Sequence, residues 1–331
     1  MSGLWVATVM FTRRKLLAAL AVIALLASGL WLRGWYGAGP LDKQTAFVVP
    51  DGSSLSSVAA KLERENAIAS SSAFLTRAKI LGGSAPIKAG EFLLPAQASN
   101  ATILDTLQSG KVLRRFVAVP EGMPSIMVWD RLMAQPLLTG SIPVPDDGTL
   151  LPDSYDFERG EARAKVVARM QAAMRKVLAE AWAKRAPNLV VKTPQEALTL
   201  ASIVEKETGK PSERRMVAGL YSNRLRTGML LQADPTIIYP ITRGKPLGRR
   251  IRQSEIAAIN DYNTYSMVGL PKGPITNPGK ASIEAVLNPA QTEALYMVAD
   301  GTGGHVFATT LDQHNANVAK WFALRRARGE L

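Results

Sequence analysis

The chain has 331 residues, 47% of them apolar, enough for roughly two domains around substantial cores. Lys and Arg number 40 against 27 acids, a formal charge of +13 that calls for an anionic partner or surface. With no cysteine, disulfides, thiolate metal sites and cysteine nucleophiles are excluded, and no zinc module, RNA-stacking signature or basic tract in the globular part points to nucleic acid.

The N-terminus comes first. Residues 16–32, LLAALAVIALLASGLWL, carry no charge and are long enough to cross a bilayer. Arg13, Arg14 and Lys15 precede them, which predicts a cytoplasmic N-terminus over 1–15 and an anchor over 16–36. Trp31, Trp35 and Tyr36 stand where an interfacial aromatic belt is expected. The run exceeds a usual signal-peptide core and Ala27-Ser28-Gly29 is a weak cleavage cue, so an uncleaved span is expected. Residues 1–12 are uncharged, and Met10 is an alternative start.

Residues 37–43 read as a short Gly/Pro linker. A strand follows at 45–49, a turn at Asp51-Gly52, an amphipathic helix at 54–65 and another at 72–81. A strand is predicted at 87–94, a helix at 102–109 ended by Gly110, a strand at 114–119, a turn at Glu121-Gly122 and a helix at 125–133. This order predicts a small α+β module over 43–133. VVPDGSSLSSVAAKL (48–62) and AVPEGMPSIMVWDRL (118–132) share a pattern, a partial internal echo. The Pro-rich stretch 135–147 reads as a linker or covering loop.

Three helices are predicted next: a long basic one at 161–185, one at 193–209, and one at 212–226 with Val217, Leu220, Tyr221 and Leu225 on one face. Residues 229–280, rich in Gly, Pro, Asn, Gln and Tyr, read as irregular loops. A hairpin across 300–304 joins 295–299 to 305–309, and a basic helix at 311–328 ends the chain. The fold class is α+β.

The helix at 193–209, TPQEALTLASIVEKETG, carries the chemistry. Thr193 is an N-cap, Pro194 suits the first turn, Glu196 completes a capping box and Gly209 suits a left-handed C-terminus. At about 100° per residue, Ala197, Leu200, Ala201, Ile203 and Val204 form one stripe, and Glu207 lies inside it. Glu205 points roughly 160° away, and Lys206 falls on a polar side with Thr199 and Ser202. A carboxyl held against apolar neighbours has its pKa raised, the state that a general acid needs near neutral pH. The rival reading is a solvated helix-end Glu. Ser202 and Lys206, four apart, also permit a Ser–Lys pair, without a matching oxyanion signature. His305 and His314 have no ligand-spaced partner, so no metal is expected. Among the loops, Gln232, Asp234, Tyr262, Asn263, Tyr265, Asn277 and His305 form a polar set, each also explicable as turn chemistry.

ASIVEKETG (201–209), Glu213-Arg214, NRLRTGMLLQADPTIIY (223–239), YNTY (262–265), GLPKGPITNPG (269–279) and VADGTGGHVFATTLDQHN (298–315) together resemble the endolytic murein transglycosylase, or YceG-like, family. IKAGEF, LQSGK, VPEGM, LPDSYDF and the single N-terminal anchor are similar too, so the resemblance covers most of the chain. Lys272 replaces the second proline of the family's GLPPGPI, and residues 150–153 are a thin version of the usual aromatic segment.

The resemblance implies a LysM-like fold for the membrane-proximal module and a mixed α+β catalytic domain over 150–331, outside the cytoplasmic membrane. It implies a lyase that cuts peptidoglycan strands internally between N-acetylmuramic acid and N-acetylglucosamine, leaving 1,6-anhydro ends and limiting strand length during wall synthesis. No cofactor is implied; the implied partners are glycan strands, the cytoplasmic membrane and peptidoglycan synthases. The family's catalytic Glu falls on Glu207, the second Glu of EKET. Gln232, Tyr262 and Asn263 then position the glycan with Tyr265, Asn277 and His305, and Asp234 is the one candidate for a second carboxylate. The alternative is a membrane-anchored peptidoglycan-binding scaffold without activity.

Overall fold

The computed structural model describes residues 3–330, with side chains from residue 15 onward. The chain divides into two units, Met1–Arg114 and Arg115–Leu331.

In the first unit, helix α1 (Gly3–Tyr36) contains an apolar stretch, Lys15–Tyr36, long enough to cross a membrane. Leu17, Ile23, Leu25 and Leu30 on it are exposed. Trp35 is different. It is 2% exposed, with its ring 5.8 Å from Phe74. Arg77 Nε donates to the Trp31 carbonyl (3.1 Å) and Asn100 Nδ2 to that of Gly34 (2.8 Å). Trp35 therefore belongs to the unit's core and not to an interfacial belt, because α1 runs unbroken into the folded unit. Residues 37–43 are likewise no free linker: Gly39 N–H donates to Gln97 O (3.1 Å), Gln97 N–H to Leu41 O (2.7 Å), and Leu41 is buried.

Strand β1 (Thr45–Val49) pairs antiparallel with β2 (Gly90–Leu94), Phe47 opposite Phe92. Between them in sequence lie α2 (Leu55–Arg64) and α3 (Ser71–Leu81), and α4 (Asn100–Ser109) follows. Ser54, Ser70 and Ser99 cap these helices by accepting backbone N–H bonds, each worth about 1 kcal/mol against alanine. The core is Phe47, Leu62, Phe74, Phe92, Ile103 and Leu107 with Trp35.

The predicted module end at 133 shifts to 114. Strand β3 (Arg115–Ala118) pairs antiparallel with β4 (Ser154–Phe157), an element the sequence did not announce. Helix α5 (Ser125–Met133) buries Val128 and Leu132 in a core with Val117, Leu150, Phe157, Val166 and Met170. Residues 115–133 thus find their hydrophobic partners downstream. The Pro-rich stretch is also no linker. Leu138 is buried, Trp129 Nε1 donates to Ile142 O (2.8 Å), and buried Arg163 donates to the carbonyls of Leu132 (2.8 Å), Gln135 (2.8 Å) and Gly140 (2.7 Å).

The sequence echo is a structural one. Both copies run strand, turn, helix, with Ser53 N–H donating to Pro50 O (3.3 Å) and Met123 N–H to Pro120 O (3.2 Å). Gly52 (φ 73°) and Gly122 (φ 71°) hold the same left-handed conformation, which favours glycine.

The main core of the second unit gathers α6 (Arg163–Ala183), α7 (Pro194–Glu207), α8 (Arg214–Thr227) and α11 (Lys280–Leu287). A 3₁₀ turn, Pro211–Glu213, precedes α8. The stretch expected to be irregular holds α9 (Asp234–Thr242) and α10 (Gln253–Ile256). Pro235 and Pro240, with five β-branched residues, disguise α9; burial of Thr236 and Ile237 secures it. The hairpin β5 (Tyr296–Ala299) and β6 (His305–Ala308) and helix α12 (Leu311–Ala327) close the unit.

A fragment ending at Arg114 is expected to unfold cooperatively in urea. One ending at Met133 is expected to aggregate, because Val117, Val119, Val128 and Leu132 then lack their partners. Light scattering of the two fragments decides it.

Candidate active site

The site starts from the helix that carries it. Thr193 Oγ1 accepts from Glu196 N–H (3.1 Å), and the Glu196 carboxylate reaches back to Lys192 N–H (2.5 Å), one residue beyond a standard capping box. Residues 197–204 of α7 are all buried, so the polar side expected at Thr199 and Ser202 does not face water. Their hydroxyls bond to the helix's own carbonyls, Thr199 to Gln195 (3.0 Å) and Ser202 to Thr199 (2.7 Å), which removes the cost of burying them. Ser202 Oγ also accepts from Ile275 N–H (3.0 Å), which leaves it no role as a nucleophile beside Lys206.

Glu207 is the last residue of α7. The helix ends through extended Thr208 (φ −138°) and not through a left-handed Gly209, because Thr208 Oγ1 accepts Lys210 N–H at 3.0 Å and turns the chain away. This exit leaves the Glu207 side chain on a cavity of about 350 Å³, also lined by Lys206, Leu220, Tyr221, Arg224, Gln232, Asp234, Pro235 and Met297. Glu207 Oε1 is buried and has no hydrogen-bond partner among the described residues. Burial pushes the Glu207 pKa up to about 7, and the negative charge of Asp234 adds to the rise. A hydrogen bond from Tyr221 and the charge of Arg224 oppose it.

The walls are stiff. Arg224 Nε donates to Leu295 O (2.6 Å) and Nη1 to Leu231 O (2.8 Å), which ties α8 to the start of the hairpin and to the loop before α9. Asp234 sits at the N-terminus of α9, where a negative charge is favoured, and accepts from the Tyr265 hydroxyl (2.6 Å). Gln232 is exposed in a left-handed conformation (φ 51°), and its N–H donates to Thr264 O (3.1 Å).

The predicted site residues separate into two groups. Glu207, Gln232 and Asp234 share the cavity, and Tyr265 reaches it through Asp234. Asn263 is fully buried and its amide is spent on the carbonyls of Ile256 (2.9 Å) and Ala258 (2.6 Å). Asn277 is equally buried, donating to Met123 O and Ser125 Oγ (2.9 Å each) and accepting from Leu150 N–H (3.1 Å). Tyr262 packs against Tyr239, ring centroids 4.7 Å apart and planes tilted by 46°. His305 Nδ1 lies 2.9 Å from Glu213 Oε2, which anchors the hairpin. These four hold loops and do not line the cavity. Glu205, on the other face of α7, accepts from Gly279 N–H (3.0 Å) and lies 3.7 Å from Arg214.

Tyr221, Arg224 and Met297 line the cavity without having been singled out as site residues, and Lys206 lines it although the sequence offered it only as half of a Ser–Lys pair. Arg224 had a readable signal: with Val217, Leu220 and Tyr221 it completes an i, i+3, i+4, i+7 stripe, a charge on an apolar face like Glu207 itself. Met297 had none, since strand residues from a distant hairpin reach the site only through the fold.

The model of the YceG-like family matches residues 47–320. A Streptococcus pneumoniae protein named endolytic murein transglycosylase is 28% identical over 362 residues, covering 91% of this chain. The chain spans 64% of that relative's length. A Bacillus subtilis protein of the same name is 27% identical, over 90% of this chain and 92% of its own. The crystal structure of a YceG-like protein from Listeria monocytogenes superposes with a TM-score of 0.51 at 27% identity, covering 83% of this chain and 98% of that one.

Two substitutions are expected to move the Glu207 pKa in opposite directions from about 7. Tyr221→Phe removes the hydrogen bond that lowers it and raises it; Asp234→Asn removes the charge that raises it and lowers it. Carboxyl-carbon NMR titration of the two variants reads both signs.

Proposed function

We propose, since the chain belongs to the YceG-like family, that it is a membrane-anchored endolytic lytic transglycosylase acting on peptidoglycan strands. The observation that carries this reading is the unpartnered, buried carboxyl oxygen of Glu207, facing a cavity with a pKa near 7. A group so poised is half protonated at neutral pH, suited to give and then take one proton.

In this reading Glu207 protonates the glycosidic oxygen as its bond to C1 of N-acetylmuramic acid breaks. The carboxylate then removes the proton of the same sugar's C6 hydroxyl as that oxygen closes on C1. The products are a 1,6-anhydro end and a free 4-hydroxyl, with no water consumed. Asp234 keeps Glu207 protonated before the cut and faces the positive charge that develops at C1. A hydrolase places its second carboxylate to activate water or attack C1; here the Tyr265 hydroxyl occupies one Asp234 oxygen, which supports the electrostatic role.

The helix over Lys15–Tyr36 is the anchor in this scheme, oriented by Arg13, Arg14 and Lys15. The β1-α2-α3-β2 order of the first unit supports a LysM-like module that touches glycan weakly. Cutting within strands would limit their length beside the synthases that extend them. A reporter fused after Leu331 is expected to be active only outside the cytoplasm; cytoplasmic activity overturns the orientation.

Glu207→Gln is expected to lose about 10²–10⁴-fold in strand cleavage, at the high end because one group serves both steps. Mass spectrometry of the wild-type digest should show anhydro ends; reducing ends indicate a hydrolase, and no fragments a binder. The wild-type rate should fall as pH rises through about 7, where the proton donor is lost. The folded pKa lies above the ordinary Glu value of 4.5, so stability falls as Glu207 ionises between pH 4.5 and 7. Glu207→Gln should therefore be more stable than wild type by up to about 3 kcal/mol at pH 8 and equal to it below pH 4.

A further inference from the structure

A second cavity, of about 470 Å³, adjoins the one at Glu207, and Lys206 and Pro235 line both. Its chemistry is different. Met123, Pro124, Met127, Ile238 and Ile275 make its walls apolar, with Lys245 and Glu121 at its rim, the Glu121 charge taken up by Arg214 at 3.1 Å. It is also built to keep its shape. Gly122 N–H donates to Asn277 O (3.0 Å), Thr276 Oγ1 to Gly122 O (2.6 Å) and Asn277 Nδ2 to Met123 O (2.9 Å), so the turn that forms one wall is pinned to the loop that forms another. Lys206 makes no ion pair among the described residues, and Lys245 pairs only with half-exposed Asp130 at 2.7 Å.

Resting on the transglycosylase reading above, we propose that this second cavity binds the stem peptide of the muramic acid whose C1 sits at Glu207. That peptide hangs from the lactyl group on C3, two ring atoms from the reacting carbon, so a site for it must adjoin the catalytic cavity. Its alanine methyls suit the methionine and proline walls, and its free carboxylates suit Lys206 at the junction and Lys245 at the rim. A strand stripped of its peptides keeps on C3 only the lactyl methyl and a free lactyl carboxylate, too small to fill a cavity of about 470 Å³. The cavity therefore selects strands that still carry peptides.

The test uses the full chain in detergent on two substrates, peptide-bearing strands and the same strands stripped by an amidase. Wild type is expected to cut the peptide-bearing strands with a kcat/KM at least about tenfold higher, a difference of about 1.4 kcal/mol. Met127→Glu places a like charge in the pocket and lies outside the catalytic cavity. It should lower the peptide-bearing rate to the stripped-strand level, leaving the stripped-strand rate and the melting temperature unchanged. Lys245→Glu should act in the same direction at the rim. Equal wild-type rates on the two substrates overturn the proposal, as does a preference that survives both variants, or an equal loss on both substrates. No anhydro ends from either substrate would instead overturn the transglycosylase reading itself.

Discussion

One carboxyl group held half protonated near neutral pH, at the end of a helix whose residues 197–204 are all buried, is the constraint on which this structure depends. Glu207 cannot be shielded unless α7 is, and α7 is shielded because α6, α8 and α11 close around residues 197–204. The two hydroxyls in that stretch turn inward onto helix carbonyls, so the helix enters the core without stranded polar groups. At its last residue the chain leaves abruptly in extended form, and the carboxyl meets a cavity where an apolar side chain would meet a neighbour.

The polar loop residues around that cavity spend their hydrogen bonds on backbone. Asn263 gathers the carbonyls of its own loop, Thr264 and Thr236 bond at 2.8 Å to lock that loop to α9, and Asn277 joins three separate segments. Such bonds fix where Asp234 and Gln232 stand relative to Glu207, and little side-chain freedom remains to be lost when a sugar binds. The strand–turn–helix motif seen twice in the chain serves two ends. At 48–62 it builds the core of the first unit; at 118–132 its turn walls the second cavity.

Burial tunes the acid, and a mixture of charges sets the amount. Asp234 pushes the Glu207 pKa up while Arg224 and Tyr221 pull it down, which leaves it near neutrality and not far above. Both opposing groups come from α8, at positions three apart on one face, so a single helix register places them together.

What the sequence determined by itself was local in origin. The Thr193 cap, Gly110 as a helix stop, the paired Pro-Asp/Glu-Gly turns and the position of Glu207 within an apolar stripe all rest on spacing and backbone preference, which act within a few residues. Only the tertiary structure decided which elements belong together. Strand β4 has no pattern of its own and exists because β3 offers it a ladder; α9 forms against its own prolines because its buried face is covered; the module boundary moved to 114 because Val117 and Val128 are claimed by residues beyond 150. The site divided on the same ground. Asn263 and Asn277 read as ligand contacts because asparagine signals both turns and recognition, and a side chain's donors are assigned only when the fold brings carbonyls within reach.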